Sequence, residues 1–174
     1  QELSQALERD QFELWYQPTW HAGEKTIHGF EALLRWRHPE QGVVLPGLFI
    51  PSLEQTGLII PVGNWAIEAA CRQLHFWTEQ GFSQWTLSLN LSPVQFEQPD
   101  IFPIISSMLE KYNLSPSRLI LEVTESTALK NLDRSIELLN AFNHAGVTVS
   151  IDDFGTGYSN LLMLSVLPAK ELKI

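Results

Sequence analysis

Short runs of strand composition alternate with helical stretches along almost the whole chain. Residues 2–10 read as a helix, with Leu3, Ala6 and Leu7 on one face. Residues 12–17 read as a strand, and 26–36 as a second one with apolar residues around a single Glu31. A short helix is expected over 46–55, closed by Gly57. Residues 61–80 form an amphipathic helix pattern with Trp65, Ala69, Leu74 and Trp77 on its apolar side, ended by Gly81. Further strands are expected at 85–91, 118–123, 147–151 and from Glu171 onward. The intervening helices are read at 99–112 and from the cap Asn131 to His144, where Gly146 stops the second. Residues 36–43 read as an exposed loop, 154–159 as a glycine-containing loop, and 160–165 as one or two helical turns.

About six strands in a mostly β-α-β-α order imply a parallel sheet covered by helices. The two candidate architectures are a doubly wound sheet and a (β/α)₈ barrel. A complete barrel takes about 250 residues, so 174 residues fit a six-strand portion of one.

Composition removes several function classes. Lys and Arg number 11 against 20 Asp and Glu, a formal charge of −9, so a nucleic-acid coat or an anionic-membrane binder is disfavoured. No apolar run reaches the length of a membrane span and no signal peptide opens the chain, which points to a cytoplasmic domain. Cys71 is the one cysteine, which excludes an internal disulfide and a cysteine-built metal site.

Strands buried on both faces are nearly continuous apolar runs. The polar residues that interrupt them, or sit at their C-terminal ends, therefore call for an explanation. They are Glu31, Asn90, Glu122 with Glu125, the pair Asp152–Asp153, and Lys173. In a parallel barrel these strand ends converge on the face that carries the active site. Each residue alone reads as a cap, a turn or a solvated charge; together they form a chemically coherent set. Several carboxylates and an amide oxygen in one pocket repel each other and call for cations. Oxygen-only ligands suit Mg²⁺, Mn²⁺ or Ca²⁺ rather than zinc or copper. Adjacent Asp152 and Asp153 suit a two-metal site, with Lys173 offsetting the charge or orienting a water.

At this point the ordered motifs resemble a known family. The strings Glu31-Ala32-Leu33 with Leu34-Arg35-Trp36, Tyr16-Gln17-Pro18, and Phe49-Ile50-Pro51 with Glu54-Gln55-Thr56-Gly57 come first. Leu89-Asn90-Leu91-Ser92, Glu122-Val123-Thr124-Glu125-Ser126, the series from Asp152 to Ser159, and Leu172-Lys173-Ile174 follow. The series is similar to that of the EAL domains, the cyclic di-GMP phosphodiesterases of bacterial signalling, and the resemblance covers residues 1–174.

The resemblance implies an α/β fold, a TIM-like (β/α)₈ barrel of EAL type with its first strand antiparallel, here ending after about six strands. It implies that 1–174 are the N-terminal two-thirds of that domain, since the family pattern continues past the lysine strand with a further Glu and a Gln. It implies Glu31, Asn90, Glu122 and Asp152 as ligands of a divalent metal, and Asp153 as the residue shared with a second. Lys173 matches the lysine that contacts the catalytic water, so Glu31, Asp153 and Lys173 are the candidate catalytic residues. Glu125 matches a glutamate that steadies the loop after the aspartate pair, and Gln17 and Arg35 match substrate-contacting positions. A guanidinium suits a phosphate because it donates two parallel hydrogen bonds.

The implied reaction is Mg²⁺- or Mn²⁺-dependent hydrolysis of cyclic di-GMP to linear pGpG, with Ca²⁺ inhibitory. The alternative is a catalytically silent receptor that binds cyclic di-GMP without hydrolysing it. The implied partners are cyclic di-GMP, a second copy through the loop after Asp153, and sensory or cyclase domains in the parent protein, which could anchor it to a membrane; no nucleic-acid polymer is implied.

Overall fold

The computed structural model of the chain describes residues 2–20, 23, 25–153 and 166–173. The loop expected at 154–159 and the turns expected at 160–165 lie outside these residues. Strand β1 (Phe12–Trp20) pairs antiparallel with β2 (Ile27–His38), placing Gln17 opposite Glu31. Strand β3 (Gly42–Val44) folds back antiparallel on the end of β2, so the stretch read as a loop is a hairpin. From β2 onward the ladder is parallel, through β4 (Thr86–Asn90), β5 (Leu119–Thr124), β6 (Thr148–Asp152) and β7 (Glu171–Leu172). An antiparallel opening pair followed by a parallel series is the order expected for the EAL-type barrel.

Seven helices connect and cover these strands in the described residues: α1 (Glu2–Ala6), α2 (Pro46–Thr56), α3 (Ile59–Glu79), α4 (Pro93–Phe96), α5 (Ile101–Lys111), α6 (Glu125–Lys130) and α7 (Leu132–Ala145). Helix α1 stops at Ala6, short of the expected end, because the chain must turn into β1; the Gln11 amide closes that turn on the Ala6 carbonyl at 2.9 Å. Helices α4 and α6 escape a reading by periodicity because four and six residues hold too few turns to show one. The cap expected at Asn131 is present, its side chain accepting from the Arg134 amide at 3.3 Å.

Side chains alternate across a strand with a period of two, and here the alternation divides the sheet into unlike faces. One face carries Leu87, Leu89, Leu121, Val149 and Ile151, which join Ile67, Leu74, Ile105, Leu139 and Phe142 of α3, α5 and α7 in one buried cluster. Each such side chain contributes about 1.5–3 kcal/mol through burial. A second cluster under α2 gathers Phe12, Trp36, Phe49, Leu53 and Val62 with Ala6 of α1. The other face of the sheet is polar. In this division Ser88, Asn90, Glu122, Ser150 and Asp152 all fall on the side away from the helices.

Two close approaches fix where that polar face begins. A Cβ on Gly29 would lie 2.5 Å from the Thr86 carbonyl, so only glycine lets β2 run this near β4 and set Glu31 beside Ser88. A Cβ on Gly63 of α3 would collide with the Gln95 side chain. Gln95 is held there by a reciprocal cap with Ser92, which directs the chain as it leaves Asn90.

Cys71 sits within the apolar cluster, fully buried. Burial, helped by the charge of Glu68, pushes its thiol from 9.0 up to about 12. The folded state therefore keeps a proton that the unfolded chain releases, so stability is complete below about pH 9 and falls from there towards about pH 12. We expect a thiol reagent at pH 8 to label Cys71 only after denaturation, and Cys71→Ala to flatten the alkaline fall in the denaturation midpoint.

Candidate active site

The register brings residues distant in sequence into adjacent rows on the polar face. Asn90 pairs with Glu122, and Glu122 with Ser150. One step further, Asp152 pairs with Thr124, and Lys173 follows Leu172, the partner of Ile151. Neighbouring strands lie about 4.8 Å apart, so every one of these side chains is within reach of the next. Glu31 lies level with Ser88, and the Asn90 amide donates to its carboxylate at 3.0 Å. Glu31 is thus mid-strand rather than at a strand end, because β2 runs on to His38 above the last pair it makes with β4.

Glu122 is the most enclosed member of the set, at 1% exposure. The Lys173 ammonium donates to its Oε1, while Oε2 is buried without a hydrogen-bond partner. Burial pushes the Glu122 carboxyl above its ordinary value, against the opposing pull of Lys173. For Lys173, burial acts to lower its pKa, but the hydrogen bond and charge of Glu122, with Glu31 and Asp152 beyond, outweigh it and raise it.

Asp153 turns out of β6 at φ 57°, a left-handed conformation that Asp tolerates better than most residues, and its amide donates to Asp152 Oδ1 at 2.9 Å. Glu125 is buried at the start of α6, where a carboxylate favours the N-terminal end of the helix. Gln17 stands across from Glu31 on β1, exposed. Arg35 follows two positions up the same face of β2. Its guanidinium lies 5.5 Å from the centre of the Trp15 ring and donates to the Leu34 carbonyl, leaving Nε without a partner.

Among the described residues, no three His, Cys, Asp or Glu side chains stand close enough together to hold a metal ion. The donor set still fits a hard divalent cation. Glu31, Asn90, Glu122 and Asp152 offer oxygen atoms only, the chemistry that magnesium and manganese take, and Glu122 Oε2 is a buried acceptor in need of a positive partner.

A cavity of about 320 Å³ opens beside Asn90 and Glu122, between the upper part of β2, the end of β4 and the starts of α2 and α3. Its wall is mostly apolar and includes Glu54. Sequence reading gave Glu54 no role, nor Ser88 and Ser150. The serines were legible as the polar members of the alternations Ser88-Leu89-Asn90 and Ser150-Ile151-Asp152.

The EAL domain family model matches residues 1–174. The bifunctional diguanylate cyclase/cyclic di-GMP phosphodiesterase MucR of Pseudomonas aeruginosa is 49% identical over 173 residues, 99% of this chain and 25% of that protein. The cyclic di-GMP phosphodiesterase NbdA of the same species is 39% identical over 174 residues, 100% of this chain and 22% of that protein. The chain thus spans about a quarter of the length of these curated relatives. A solved structure of PaMucR phosphodiesterase in complex with c-di-GMP superposes with a TM-score of 0.95 at 48% identity, covering 99% of this chain and 70% of that one. The FimX EAL domain of Pseudomonas aeruginosa bound to c-di-GMP superposes at 0.88 with 25% identity, covering 99% and 69%. With a family match from end to end and relatives of this family at 49% and 39% identity over nearly the whole chain, this chain belongs to the EAL domain family.

Proposed function

We propose that residues 1–174 work as the N-terminal part of a cyclic di-GMP phosphodiesterase domain, hydrolysing one phosphodiester bond to give linear pGpG. The observation that carries this reading is the polar face itself. Side chains from β2, β4, β5, β6 and β7 meet there, with Glu122 Oε2 buried and unpartnered among them. Relatives at 49% and 39% identity carry phosphodiesterase names, which supports the same chemistry.

In this proposal Glu31, Asn90, Glu122 and Asp152 hold a divalent ion, and Asp153 reaches a second. Bound Mg²⁺ or Mn²⁺ supplies water activation and neutralises charge on the phosphate. The chain's own residues do the rest. Arg35, free at Nε, meets a phosphate oxygen, and Gln17 contacts the substrate from across Glu31. Lys173 places an ammonium where negative charge builds in the transition state and opposes the upward push of burial on the Glu122 carboxyl. Asn90 orients Glu31, and Glu125 steadies the turn that follows Asp153.

The setting follows from the same reading: a cytoplasmic domain fused to sensory or cyclase modules and paired with a second copy through residues 154–159, which lie outside the described residues. No helix among the described residues is long and apolar enough to cross a membrane.

The test incubates the full-length protein with cyclic di-GMP and Mg²⁺ or Mn²⁺ and follows pGpG by chromatography. Product that depends on the ion, and is suppressed by Ca²⁺, is the expected result. Tight binding with no product overturns the enzyme and establishes the receptor.

A further inference from the structure

Strand β1 places a tryptophan beside the site that the proposed chemistry leaves unused. Leu14 and Tyr16 pack against the main apolar cluster, so Glu13, Trp15 and Gln17 face the other way, onto the side that carries Glu31 and Arg35. The antiparallel register sets Gln17 opposite Glu31, Trp15 opposite Leu33 and Glu13 opposite Arg35. Trp15 and Arg35 are therefore diagonal neighbours, within reach of one another. The guanidinium carbon lies 5.5 Å from the centre of the Trp15 ring. That ring belongs to neither apolar cluster and is 46% exposed, so core packing does not account for it. Its orientation is nonetheless fixed. The indole Nε1–H donates to Glu13 Oε2 at 3.1 Å, and Glu13 Oε1 accepts from Arg37 Nε at 2.5 Å. The hydrogen bonds from Arg37 and Trp15 hold the Glu13 carboxyl below its ordinary value, in the acceptor form the ring needs.

We infer that Trp15 is a positioning residue for Arg35, holding the guanidinium by a cation–π contact so that its free edge is presented to a substrate phosphate. This rests on Arg35 being the phosphate contact of cyclic di-GMP, and adds what keeps that side chain in place before the nucleotide arrives. An arginine loose on a strand samples many rotamers, and ordering it on binding subtracts from affinity. Here two restraints act beforehand. Arg35 Nη1 donates to the Leu34 carbonyl at 3.0 Å, and the Trp15 ring takes the cation. Nε is buried with no partner among the described residues. The edge that remains is that of Nε and Nη2, two parallel N–H groups that match two phosphate oxygens. A flat ring restrains the guanidinium without competing for those donors, which a carboxylate in its place would do. Trp15 thus acts through Arg35 and governs affinity rather than the chemical step.

The test is a double-mutant cycle of Trp15→Leu and Arg35→Met, read as equilibrium binding of cyclic di-GMP to the full-length protein with EDTA present to prevent turnover. Trp15→Leu keeps an apolar side chain and removes the ring, and should weaken binding by about 3–30-fold, the range of a cation–π contact. Trp15→Phe restores a ring face and should recover at least half of that loss on a logarithmic scale. In the Arg35→Met background, Trp15→Leu should change binding by less than about twofold, because the cation it positions is gone. With Mn²⁺ restored, Trp15→Leu should raise KM by the same factor as the binding loss and leave kcat within about threefold. A Trp15→Leu protein that binds like the wild type overturns the inference. So does an equal loss with and without Arg35, which would make the ring a contact in its own right. An Arg35→Met protein that binds like the wild type removes Arg35 from the phosphate and the inference with it. Failure of the hydrolytic reading would appear separately, as absent product with the binding cycle intact.

Discussion

Replacing Glu122 with Gln should lower the turnover of cyclic di-GMP by about 10²–10⁴-fold, since a metal ion supplies several kcal/mol of transition-state stabilisation and each 1.36 kcal/mol is tenfold in rate. The substitution keeps the shape of the side chain and removes its charge. Glu122 is the most deeply buried carboxylate of the polar face, with Lys173 on one oxygen and nothing on the other. Without that charge, the proposed metal loses a ligand and the Lys173 ammonium loses its principal partner. Both effects act on the same site, so we expect Lys173→Met to add little to the loss in Glu122→Gln, as for residues that work as a unit. Because Gln is isosteric, the thermal midpoint should move by only a few degrees. The measurement is initial pGpG release at saturating Mn²⁺, with circular dichroism as the control for folding. Activity within threefold of the wild type would remove Glu122 from the metal site.

The second large effect concerns stability at the other end of the sheet. Arg118 ends the single 3₁₀ turn Pro116–Arg118 that leads into β5 and is 7% exposed. Its guanidinium donates to the Trp85 carbonyl at 2.6 Å, to Thr78 Oγ1 at 2.6 Å and to the Phe82 carbonyl at 3.2 Å, with a longer contact of 3.5 Å to the Leu74 carbonyl. One planar group thus ties the C-terminal turn of α3 and the chain entering β4 to the start of β5. Burial holds its pKa below the ordinary arginine value, yet an arginine remains charged at any pH the protein meets. Removing it leaves several buried acceptors without a donor at once. We expect Arg118→Ala to cost about 3–5 kcal/mol and to lower the thermal midpoint by about 10 °C. Arg118→Lys should recover less than half of this, because a point-like ammonium cannot serve acceptors arranged around a fork. The proposed catalytic set lies at the opposite strand ends, so the folded fraction of either variant should keep its kcat. A midpoint shift below about 2 °C would show that water replaces these contacts without loss.

The order of elements was largely legible in the sequence. Periods of 2 and 3.6 residues, glycines after α2 and α7 and the cap at Asn131 located most of them. The exceptions are α4, α6 and β3, each too short to show a period, and the end of α1, which is set by a turn rather than by composition. The polar residues at 31, 90, 122, 152 and 173 stood out because they break apolar runs, and the register does gather them on one face. Glu54 did not stand out, because a glutamate on a helix ordinarily reads as a solvated charge.

The sequence by itself therefore determined the alternation of elements, the membership of the EAL family and the list of polar residues at the strands. Those follow from local periodicity and from motif order, which need no knowledge of what lies opposite. Tertiary structure alone decided which partner each residue meets. It placed Lys173 against Glu122 and Asn90 against Glu31, left Glu122 Oε2 unpartnered, and opened an apolar cavity walled by Glu54. The physical reason is that strand register and helix packing set distances between residues far apart in sequence, 51 positions for Lys173 and Glu122 and 59 for Asn90 and Glu31, and burial then changes what a charge costs and whom it must pair with.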